Sequence, residues 1–257
     1  MSDAASGGKL YVIGLGPGPE KWVTPEAAEA LASVEHVLGY GPYVRRLALA
    51  PHQIAHETDN REELDRAKHA LELAANGEAV ALVSGGDPGV FAMAAAVFEA
   101  VEAGPQDWRR LDIQIVPGVT AMLAAAARLG APLGGDFCAI NLSNNLKPQS
   151  VIDQRLRAAA EAGFAIALYN PASKARPRQV FDAFELLRSS LPPSVCVMFA
   201  RAIGRPDEAV TITSLAEADL SIVDMQTLVL IGTEATRVVK RDGREPWVYT
   251  PRRVEAG

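Results

Sequence analysis

Short apolar runs that end in glycine-rich turns and lead into helical patterns recur along the first half of the chain. Three of these runs are strand-like: Lys9–Leu15, Ala79–Val83 and Leu111–Val116. Helical patterns follow them and begin at Thr24, Val90 and Thr120. Strands that alternate with helices favour a parallel sheet, because each helix carries the chain back to the same edge. The repetition therefore predicts an α/β fold with a mostly parallel N-terminal sheet.

The pattern changes at the turn cluster Ala131–Gly135. Beyond it, strand-like runs follow one another with short connections: Phe137–Leu142, Phe164–Tyr169, Val195–Ala200, Ala209–Thr213 and Thr227–Ile231. Two amphipathic helical patterns, Gln149–Gly163 and Pro177–Leu191, lie among them. Fewer helical crossovers predict a mixed sheet. We therefore predict an N-terminal α/β domain at residues 1–133 and a C-terminal α/β domain at residues 134–257.

Composition and charge limit the classes of protein to which this chain can belong. The net charge of −6 over 257 residues argues against a nucleic-acid binder, but not against an anionic small-molecule substrate. No apolar run approaches the roughly 20 residues that a membrane span needs. Met1–Gly8 lacks the features of a secretory signal and is expected to be frayed. Without a signal or a membrane span, a cytoplasmic protein is expected, and Cys138 and Cys196, which lie in strand-like runs, fit reduced core residues.

The glycine-rich segment Gly14–Gly18 invites a dinucleotide-binding interpretation, which would make the chain a nicotinamide-dependent oxidoreductase. The third glycine of the G-x-G-x-x-G pattern would fall at Pro19, however, and Pro17 and Pro19 have no N–H group to donate to a pyrophosphate. The segment follows a predicted strand, and open α/β sheets bind ligands at the carboxyl ends of their strands. It therefore predicts a ligand-facing loop, with a plain tight turn as the alternative.

Further candidate loops follow other predicted strands. In Ser84–Phe91, glycines would let a ligand approach the main chain, and Asp87 adds a carboxylate. The alternative is that Asp87 only caps a helix with Pro88 at its first position. Pro117–Ala121 ends the next strand of the series, and Tyr169–Asn170 ends a strand of the second half with groups that can hydrogen-bond an adenine or a carboxylate. For Pro117–Ala121 the alternative is that Thr120 is an ordinary helix cap, and for Tyr169–Asn170 it is a turn.

Other candidate chemistry is weak. His52 and His56 are spaced as helical neighbours, but the loop-like sequence around Pro51 favours two solvated histidines. Cysteines and histidines do not occur with zinc-ligand spacing, and no serine or cysteine lies in a nucleophile-elbow pattern. The sequence therefore indicates no metal site, and it identifies no catalytic residue.

Three loops, in their order along the chain, resemble landmarks of the tetrapyrrole methylase family of S-adenosylmethionine-dependent enzymes: Gly14–Gly18, Gly85–Pro88 and Pro117–Ala121. The resemblance extends from Leu10 to Pro251. Ala167–Lys174 and Trp247–Arg252 are most similar to the family members that methylate precorrin-3B. The resemblance implies a two-lobed α/β fold with the cofactor in the cleft between a mostly parallel N-terminal sheet and a mixed C-terminal sheet.

The same resemblance implies the following cofactor-binding residues: Pro17, Gly86, Asp87, Val90, Phe91, Thr120, Ala121, Tyr169, Asn170, Ala202 and Ile203. Arginine and lysine pair well with carboxylates such as those of a tetrapyrrole. The candidate substrate-binding residues are Tyr40, Arg45, Asn144 and Lys147. The chain departs from the family pattern at Arg201–Arg205, where Asn-Ala-Gly-Arg is expected, and at Ser143–Asn144, where Ser-Asp is expected.

The activity implied is methyl transfer from S-adenosyl-L-methionine to C17 of precorrin-3B, with ring contraction to precorrin-4 and release of S-adenosyl-L-homocysteine, in cobalamin biosynthesis. A homodimer is also implied, without nucleic-acid or membrane partners. Within the family, the alternatives are another precorrin, a cobalt-precorrin or a non-tetrapyrrole acceptor. Outside it, they are the nicotinamide-dependent oxidoreductase and a non-catalytic tetrapyrrole carrier, which would bind the macrocycle without the cofactor.

Overall fold

The computed structural model describes residues 8–59, 62–173 and 175–253. The chain forms two compact units, of which the first ends at Ala121 and the second begins at Met122. The sequence analysis predicts a later boundary, at residues 133 and 134, after the first helix and strand of the second unit. Lys174, in a segment that carries the family resemblance, lies outside the described residues, as does all of Met1–Gly8 except its last residue.

Five parallel strands form the sheet of the first unit. They are β1 (Lys9–Gly14), β2 (His36–Tyr40), β3 (Ile54–Thr58), β4 (Ala79–Ser84) and β5 (Asp112–Val116), arranged in the order β3-β2-β4-β1-β5. The predicted parallel sheet is therefore confirmed. The sequence analysis did not predict β2 and β3. β3 escapes recognition because it is a polar edge strand, Ile-Ala-His-Glu-Thr, without the apolar alternation of a half-buried strand.

The helices of the first unit are α1 (Pro25–Ala32), α2 (Gly41–Val44), α3 (Glu63–Ala75) and α4 (Met93–Ala103), with 3₁₀ turns at Glu20–Trp22 and Gln106–Arg110. Thr24 caps α1 as predicted, since its hydroxyl accepts a hydrogen bond from Ala27 N at 3.1 Å. Apolar clusters cover both faces of the sheet; Leu10 of β1 belongs to one cluster and Ile13 to the other. Each fully buried leucine or isoleucine of this kind contributes about 1.5–3 kcal/mol, which fixes the strand ends that carry the loops.

The second unit contains α5 (Ala121–Leu129, which begins one residue before the division), β6 (Gly130–Ala131), β7 (Phe137–Asn141), α6 (Gln149–Glu161), β8 (Ala165–Tyr169), α7 (Gln179–Ser190), β9 (Cys196–Arg201), β10 (Ala209–Ser214), a 3₁₀ turn at Leu220–Ile222, β11 (Thr227–Ile231), β12 (Arg237–Arg241) and β13 (Arg244–Tyr249). Its main sheet has the order β10-β9-β11-β8-β7. β7 and β8 are parallel, whereas the other neighbours are antiparallel, which confirms the predicted mixed sheet.

The core of the second unit lies between α6, α7 and this sheet. Ile152 of α6 and Phe184 of α7 are fully buried, and the ring of Phe184 stacks on Phe199 of β9 with centroids 6.2 Å apart. Cys138 and Cys196 are free thiols, and burial raises the pKa of Cys196 to about 11. A small sheet of order β12-β13-β6 completes the unit. Among the described residues, no helix has both the length and the apolarity that crossing a bilayer requires.

Candidate active site

In the first unit, the loops that follow β1, β4 and β5 meet at the carboxyl edge of the sheet, because these strands are neighbours. Gly16 and Gly86 pair through their backbones, with N–O distances of 3.1 and 3.0 Å. Gly14 and Gly118 pack so closely that a Cβ atom on Gly14 would lie 2.7 Å from Gly118 N. The structure therefore brings the three loops of the family resemblance into direct backbone contact.

Asp87 ties two of these loops together. One carboxylate oxygen accepts a hydrogen bond from Gly118 N at 3.0 Å, and the other accepts from Gly89 N at 2.8 Å. The alternative that Asp87 caps a helix starting at Pro88 is wrong, because α4 begins only at Met93. The turn between Pro88 and Met93 delays the helix, and the predicted start at Val90 is wrong for the same reason.

The backbone of this loop adopts unusual conformations at two predicted cofactor residues. Gly86 has φ of +72°, and a Cβ atom placed on it would lie at ordinary van der Waals distance, 3.9 Å, from the Thr120 Cα. Phe91 has φ of +54°, and its side chain is 46% exposed. A non-glycine residue in the left-handed region costs about 1–3 kcal/mol, and such strain clusters at functional sites. Both residues fit a loop whose main chain and aromatic ring face a ligand.

The other predicted cofactor residues of the first unit lie in the same loops. Pro17 and Val90 are half-buried, Thr120 is buried, and Ala121 is the first residue of α5. After the glycines of the β1 loop, the chain enters a 3₁₀ turn, and α1 starts only at Pro25. No helix N-terminus follows the glycines directly, which argues against a pyrophosphate site of the dinucleotide-binding kind.

Tyr40 and Arg45, two candidate substrate residues, line one pocket of about 470 Å³ beyond β2 and β3. Arg45 forms an ion pair with Glu57, which lies in the same pocket wall. The ring of Tyr40 meets that of Tyr43 edge to face, with centroids 5.4 Å apart. The Tyr43 ring in turn covers Gly85, where a Cβ atom would lie 2.6 Å from it. Tyr43 thus joins the pocket wall to the loop after β4.

In the second unit, Tyr169 and Asn170 end β8 as predicted. The Tyr169 hydroxyl accepts a hydrogen bond from Met122 N at 3.1 Å and so caps a free N–H group of α5. Asn170 has φ of +51°, and its side-chain amide donates to Asn141 Oδ1 at 3.0 Å. The Asn141 side chain therefore holds Asn170 in its left-handed conformation.

Ala202 and Ile203 follow β9 and are both buried. Ala202 has φ of +49°, and its N–H donates to the Gln226 carbonyl at 3.0 Å. The preceding Arg201 bonds Asp224 at 2.8 Å and Asp207 at 2.9 Å. These bonds raise the pKa of Arg201. For Asp224, burial raises the pKa, but hydrogen bonds from Thr227, Arg201 and the Gln226 N–H outweigh that effect and lower it.

Asn144 and Lys147, the other candidate substrate residues, lie in the loop between β7 and α6. The Asn144 side chain accepts from Gln179 at 3.1 Å and contacts Gln149 at 3.5 Å. Lys147 is half-buried; burial lowers its pKa, and the nearby Arg155 lowers it further. The structure therefore places one candidate pair, Tyr40 and Arg45, in the first unit and the other, Asn144 and Lys147, in the second.

The histidines form a feature that the sequence analysis missed. The prediction that His56 is a solvated loop residue is wrong, because His56 lies in β3. Its Nε2 is 2.9 Å from His36 Nδ1, and its ring packs on that of His69. Burial lowers the pKa of His56, and the neighbouring histidines lower it further.

A second group of side chains also includes His36. Ligand atoms of Glu35, His36 and Glu78 lie within 4.8 Å of one another, a spacing that could accommodate a metal ion.

Comparison with known proteins identifies the family. The model described as Tetrapyrrole (Corrin/Porphyrin) Methylases matches residues 9–219. The chain is 62% identical to the Precorrin-3B C(17)-methyltransferase of Sinorhizobium sp over 245 residues, which cover 95% of this chain and 96% of that protein. The chain belongs to the tetrapyrrole methylases. This family membership confirms the resemblance inferred from the loops.

Solved structures of this family share the fold. The crystal structure of the methyltransferase CobJ is 54% identical, with a TM-score of 0.90, and the match covers 95% of this tetrapyrrole methylase and 100% of that chain. Uroporphyrin-III C-methyl transferase from Thermus thermophilus, solved in complex with S-adenyl homocysteine, is 25% identical with a TM-score of 0.68. That match covers 88% of this chain and 97% of the other.

The predicted cofactor residues of this tetrapyrrole methylase share one property within each unit, namely a position at the carboxyl ends of strands. In the second unit, β8 and β9 both run antiparallel to β11 between them, so Asn170 and Ala202 follow strands that end at the same edge. Phe91, Asn170 and Ala202 are the three non-glycine residues with positive φ in the described part of the chain, and all three are predicted cofactor residues. The sequence analysis missed the supporting residues Tyr43 and Glu57, because only the fold brings them to the loops.

Proposed function

We propose that this chain is an S-adenosylmethionine-dependent methyltransferase that methylates precorrin-3B at C17, with ring contraction to precorrin-4, in cobalamin biosynthesis. The observation that carries the proposal is the 62% identity, over 95% of this chain, to a relative named for that methyl transfer. The three glycine loops and the strained residues beside them support a ligand site of the same family.

The first unit fits the proposed cofactor through its backbone. Gly86 has no side chain to keep a ligand away from the main chain, and the exposed ring of Phe91 offers an apolar surface in the same loop. When bound, S-adenosyl-L-methionine supplies a methyl group on a positively charged sulfur. C17 donates the electron pair of the new carbon–carbon bond, the sulfur–methyl bond breaks, and the neutral thioether S-adenosyl-L-homocysteine is the leaving group. The protein then has to hold C17 in line with the methyl group, at about 3–3.5 Å, and exclude water.

We also propose cofactor roles for Tyr169, Asn170, Ala202 and Ile203 in the second unit. The left-handed backbones at Asn170 and Ala202 support these roles, because strain of this kind persists only where surrounding bonds enforce it. The Asn141 amide and the Arg201–Asp224 pair provide those bonds.

For the substrate, we propose that Tyr40 and Arg45 of the first unit and Asn144 and Lys147 of the second contact the tetrapyrrole. A polycarboxylate macrocycle would exchange the Arg45–Glu57 ion pair for a pair with one of its own carboxylates. Because the Lys147 pKa is lowered mainly by burial, an incoming carboxylate would restore a favourable partner for its ammonium group.

The test is incubation of the purified protein with methyl-labelled S-adenosyl-L-methionine and precorrin-3B, followed by mass and absorbance measurements on the tetrapyrrole. We expect one labelled methyl group at C17 and a changed chromophore. Parallel reactions use the cobalt-containing counterpart and other precorrins. Labelling of one of these instead of precorrin-3B would refute the substrate assignment, whereas binding of NADH without methyl transfer would refute the reaction class.

We further propose that the protein is a cytoplasmic homodimer. The free thiols of Cys138 and Cys196 support a reducing compartment. On the small sheet, Val239, Trp247 and Tyr249 project from one face and are each more than 40% exposed, which gives a second copy an apolar surface to contact. Sedimentation of the wild type and of Trp247→Glu tests the dimer, and cell fractionation tests the location.

A further inference from the structure

Arg66 is a charged side chain in the interior of the first unit. It lies in the first turn of α3 and is only 3% exposed. Its guanidinium donates to Thr58 Oγ1 at 2.5 Å, to the Asp59 carbonyl at 2.5 Å and to Met93 Sδ at 3.3 Å. The planar fork of an arginine is required to reach three partners in different directions, since a lysine ammonium is a single point.

Stability alone does not account for this residue. Within the described part of the chain, no carboxylate forms an ion pair with the Arg66 guanidinium, and burial lowers its pKa. A buried charge costs free energy, and replacing one by an apolar residue of similar size is often neutral or stabilising. Three hydrogen bonds offset part of this cost, and their partners show which parts of the unit the guanidinium connects.

The partners of Arg66 belong to two parts of the proposed site. Thr58 and Asp59 line the 470 Å³ pocket that also contains Tyr40 and Arg45. The Thr58 hydroxyl also contacts the carbonyl of Gly39, the residue before Tyr40, at 3.3 Å.

The third partner leads to the loop after β4. Met93 is the first residue of α4, two positions after the strained Phe91, and Ala94 N bonds the Pro88 carbonyl at 2.9 Å. One guanidinium therefore connects the substrate-side pocket to the end of the cofactor loop.

We propose that Arg66 is a positioning residue, which holds the pocket wall at Thr58–Asp59 and the cofactor loop at Met93 in one fixed relation. The proposal rests on the proposed function, because it assigns the tetrapyrrole to the pocket and S-adenosyl-L-methionine to the loop. Methyl transfer depends steeply on the relative placement of the two reacting groups. Arg66 contacts neither of them and acts through the groups that do.

The test compares Arg66→Met with Arg188→Met as the matched control. Arg188 lies in the second unit and also donates to backbone carbonyls, those of Leu215 and Ala218, neither of which is a proposed site residue. For Arg66→Met we expect kcat to fall by roughly tenfold to a hundredfold, while the KM for each substrate changes by less than about threefold. Arg188→Met should keep the wild-type kcat.

Two milder variants distinguish positioning from folding. Arg66→Lys retains the charge but reaches fewer partners, so its kcat should stay close to that of Arg66→Met. Thr58→Val removes one link without removing the charge and should lower kcat by a smaller factor. Wild-type kcat in Arg66→Met or in Arg66→Lys would overturn the proposal, as would a loss of kcat that merely follows the fraction of folded protein.

Hydrogen exchange separates failure of this inference from failure of the proposed function. In Arg66→Met, the amides of residues 39–45 and of residues 86–94 should exchange faster together, and in Arg188→Met neither segment should change. This measurement needs no substrate and remains decisive even if the wild type does not methylate precorrin-3B. Unchanged exchange in either segment would overturn the link between pocket and loop.

Discussion

The loops at the strand ends of the first unit and those of the second unit are held in their backbone conformations by different interactions. In the first unit, glycines allow backbone to pack on backbone: Gly16 pairs with Gly86, and Gly14 touches Gly118. In the second unit, the loop conformations depend on residues that carry side chains. Asn170 and Ala202 both adopt left-handed backbone angles, and side-chain networks beside them keep them there.

The difference shows how each unit accommodates the positive φ angles of its loops. A glycine adopts positive φ without steric cost, so backbone pairing and the Asp87 carboxylate are enough to hold the glycine loops. Alanine and asparagine pay about 1–2 kcal/mol in the left-handed region, although asparagine is better tolerated there. Their loops therefore rely on neighbouring hydrogen bonds, and single side-chain changes should loosen them. Phe91 is the exception in the first unit, as a strained non-glycine residue.

The largest effect is expected from Gly118→Ala, which would break the backbone packing of the first unit. Its Cβ atom would lie 2.8 Å from the Gly14 Cα and against the Gly86 carbonyl, and neither backbone group can rotate away. We expect a loss of at least about 3 kcal/mol in the free energy of unfolding, measured by urea denaturation.

Gly77→Ala is the matched control for that measurement. Gly77 has φ of +93°, but a Cβ atom there would meet nothing within 4 Å. The Gly77→Ala variant should lose only about 1–2 kcal/mol in the free energy of unfolding, which is the cost of the left-handed backbone alone. Equal losses at the two positions would show that close packing of the loops contributes nothing.

Asp87→Ala should have the next largest effect, because it leaves Gly118 N and Gly89 N without their acceptor. We expect a loss of about 2 kcal/mol in stability and a roughly tenfold weaker affinity for S-adenosyl-L-homocysteine, measured by denaturation and calorimetry. Asp87→Asn retains one acceptor oxygen, so its stability and its affinity should lie between those of the wild type and of Asp87→Ala. Lower stability with unchanged affinity would mean that Asp87 only joins loops and that the cofactor does not depend on their geometry.

Ala202→Gly tests the strained backbone of the second unit. Glycine removes about 1–2 kcal/mol of left-handed strain and adds about 0.5–1 kcal/mol of unfolded-state entropy, so a net gain of between zero and about 1.5 kcal/mol is expected in the free energy of unfolding. The matched control is Ala200→Gly, two residues earlier in β9, which should lose about 1 kcal/mol. A loss at both positions would contradict the assignment of strain to Ala202.

The smallest effect concerns pH. Because the pKa of Asp224 is lower in the folded protein than its ordinary value of about 4, the stabilisation that it provides is present above that pH and is lost as the pH falls through the lower folded value. Asp224→Asn should therefore reduce the loss of stability in acid, measured as melting temperature against pH.

Asp219→Asn provides the control for this prediction. The pKa of Asp219 is also lowered, by hydrogen bonding to Ser221, but Asp219 does not contact Arg201. Both variants should flatten the acid limb of the stability curve, whereas only Asp224→Asn should weaken binding of S-adenosyl-L-homocysteine near neutral pH. Equal binding by both variants would break the link between the Arg201 network and the loop at Ala202.

Prediction from the sequence succeeded for apolar strands and failed for polar elements of similar length. The parallel and mixed sheets followed from apolar runs such as those of β1 and β4. β3 was missed because four of its five residues are polar or small, and its pairing with β2 depends on the rest of the sheet. The interpretation of His56 failed for the same reason. The cofactor residues themselves remain a prediction, which the binding experiments above test.

By itself, the sequence determined the apolar strands, most of the helices, the glycine loops and the family, because each of these depends on local patterns of residues and on their order along the chain. Only the tertiary structure decided which loops touch and what supports them. Asp87 and Gly118 are brought together because β4, β1 and β5 are neighbours in the sheet. The contacts of Arg66 with Met93 and of Arg201 with Asp224 likewise join residues that are 27 and 23 positions apart in the chain, and only packing of the fold fixes such distances.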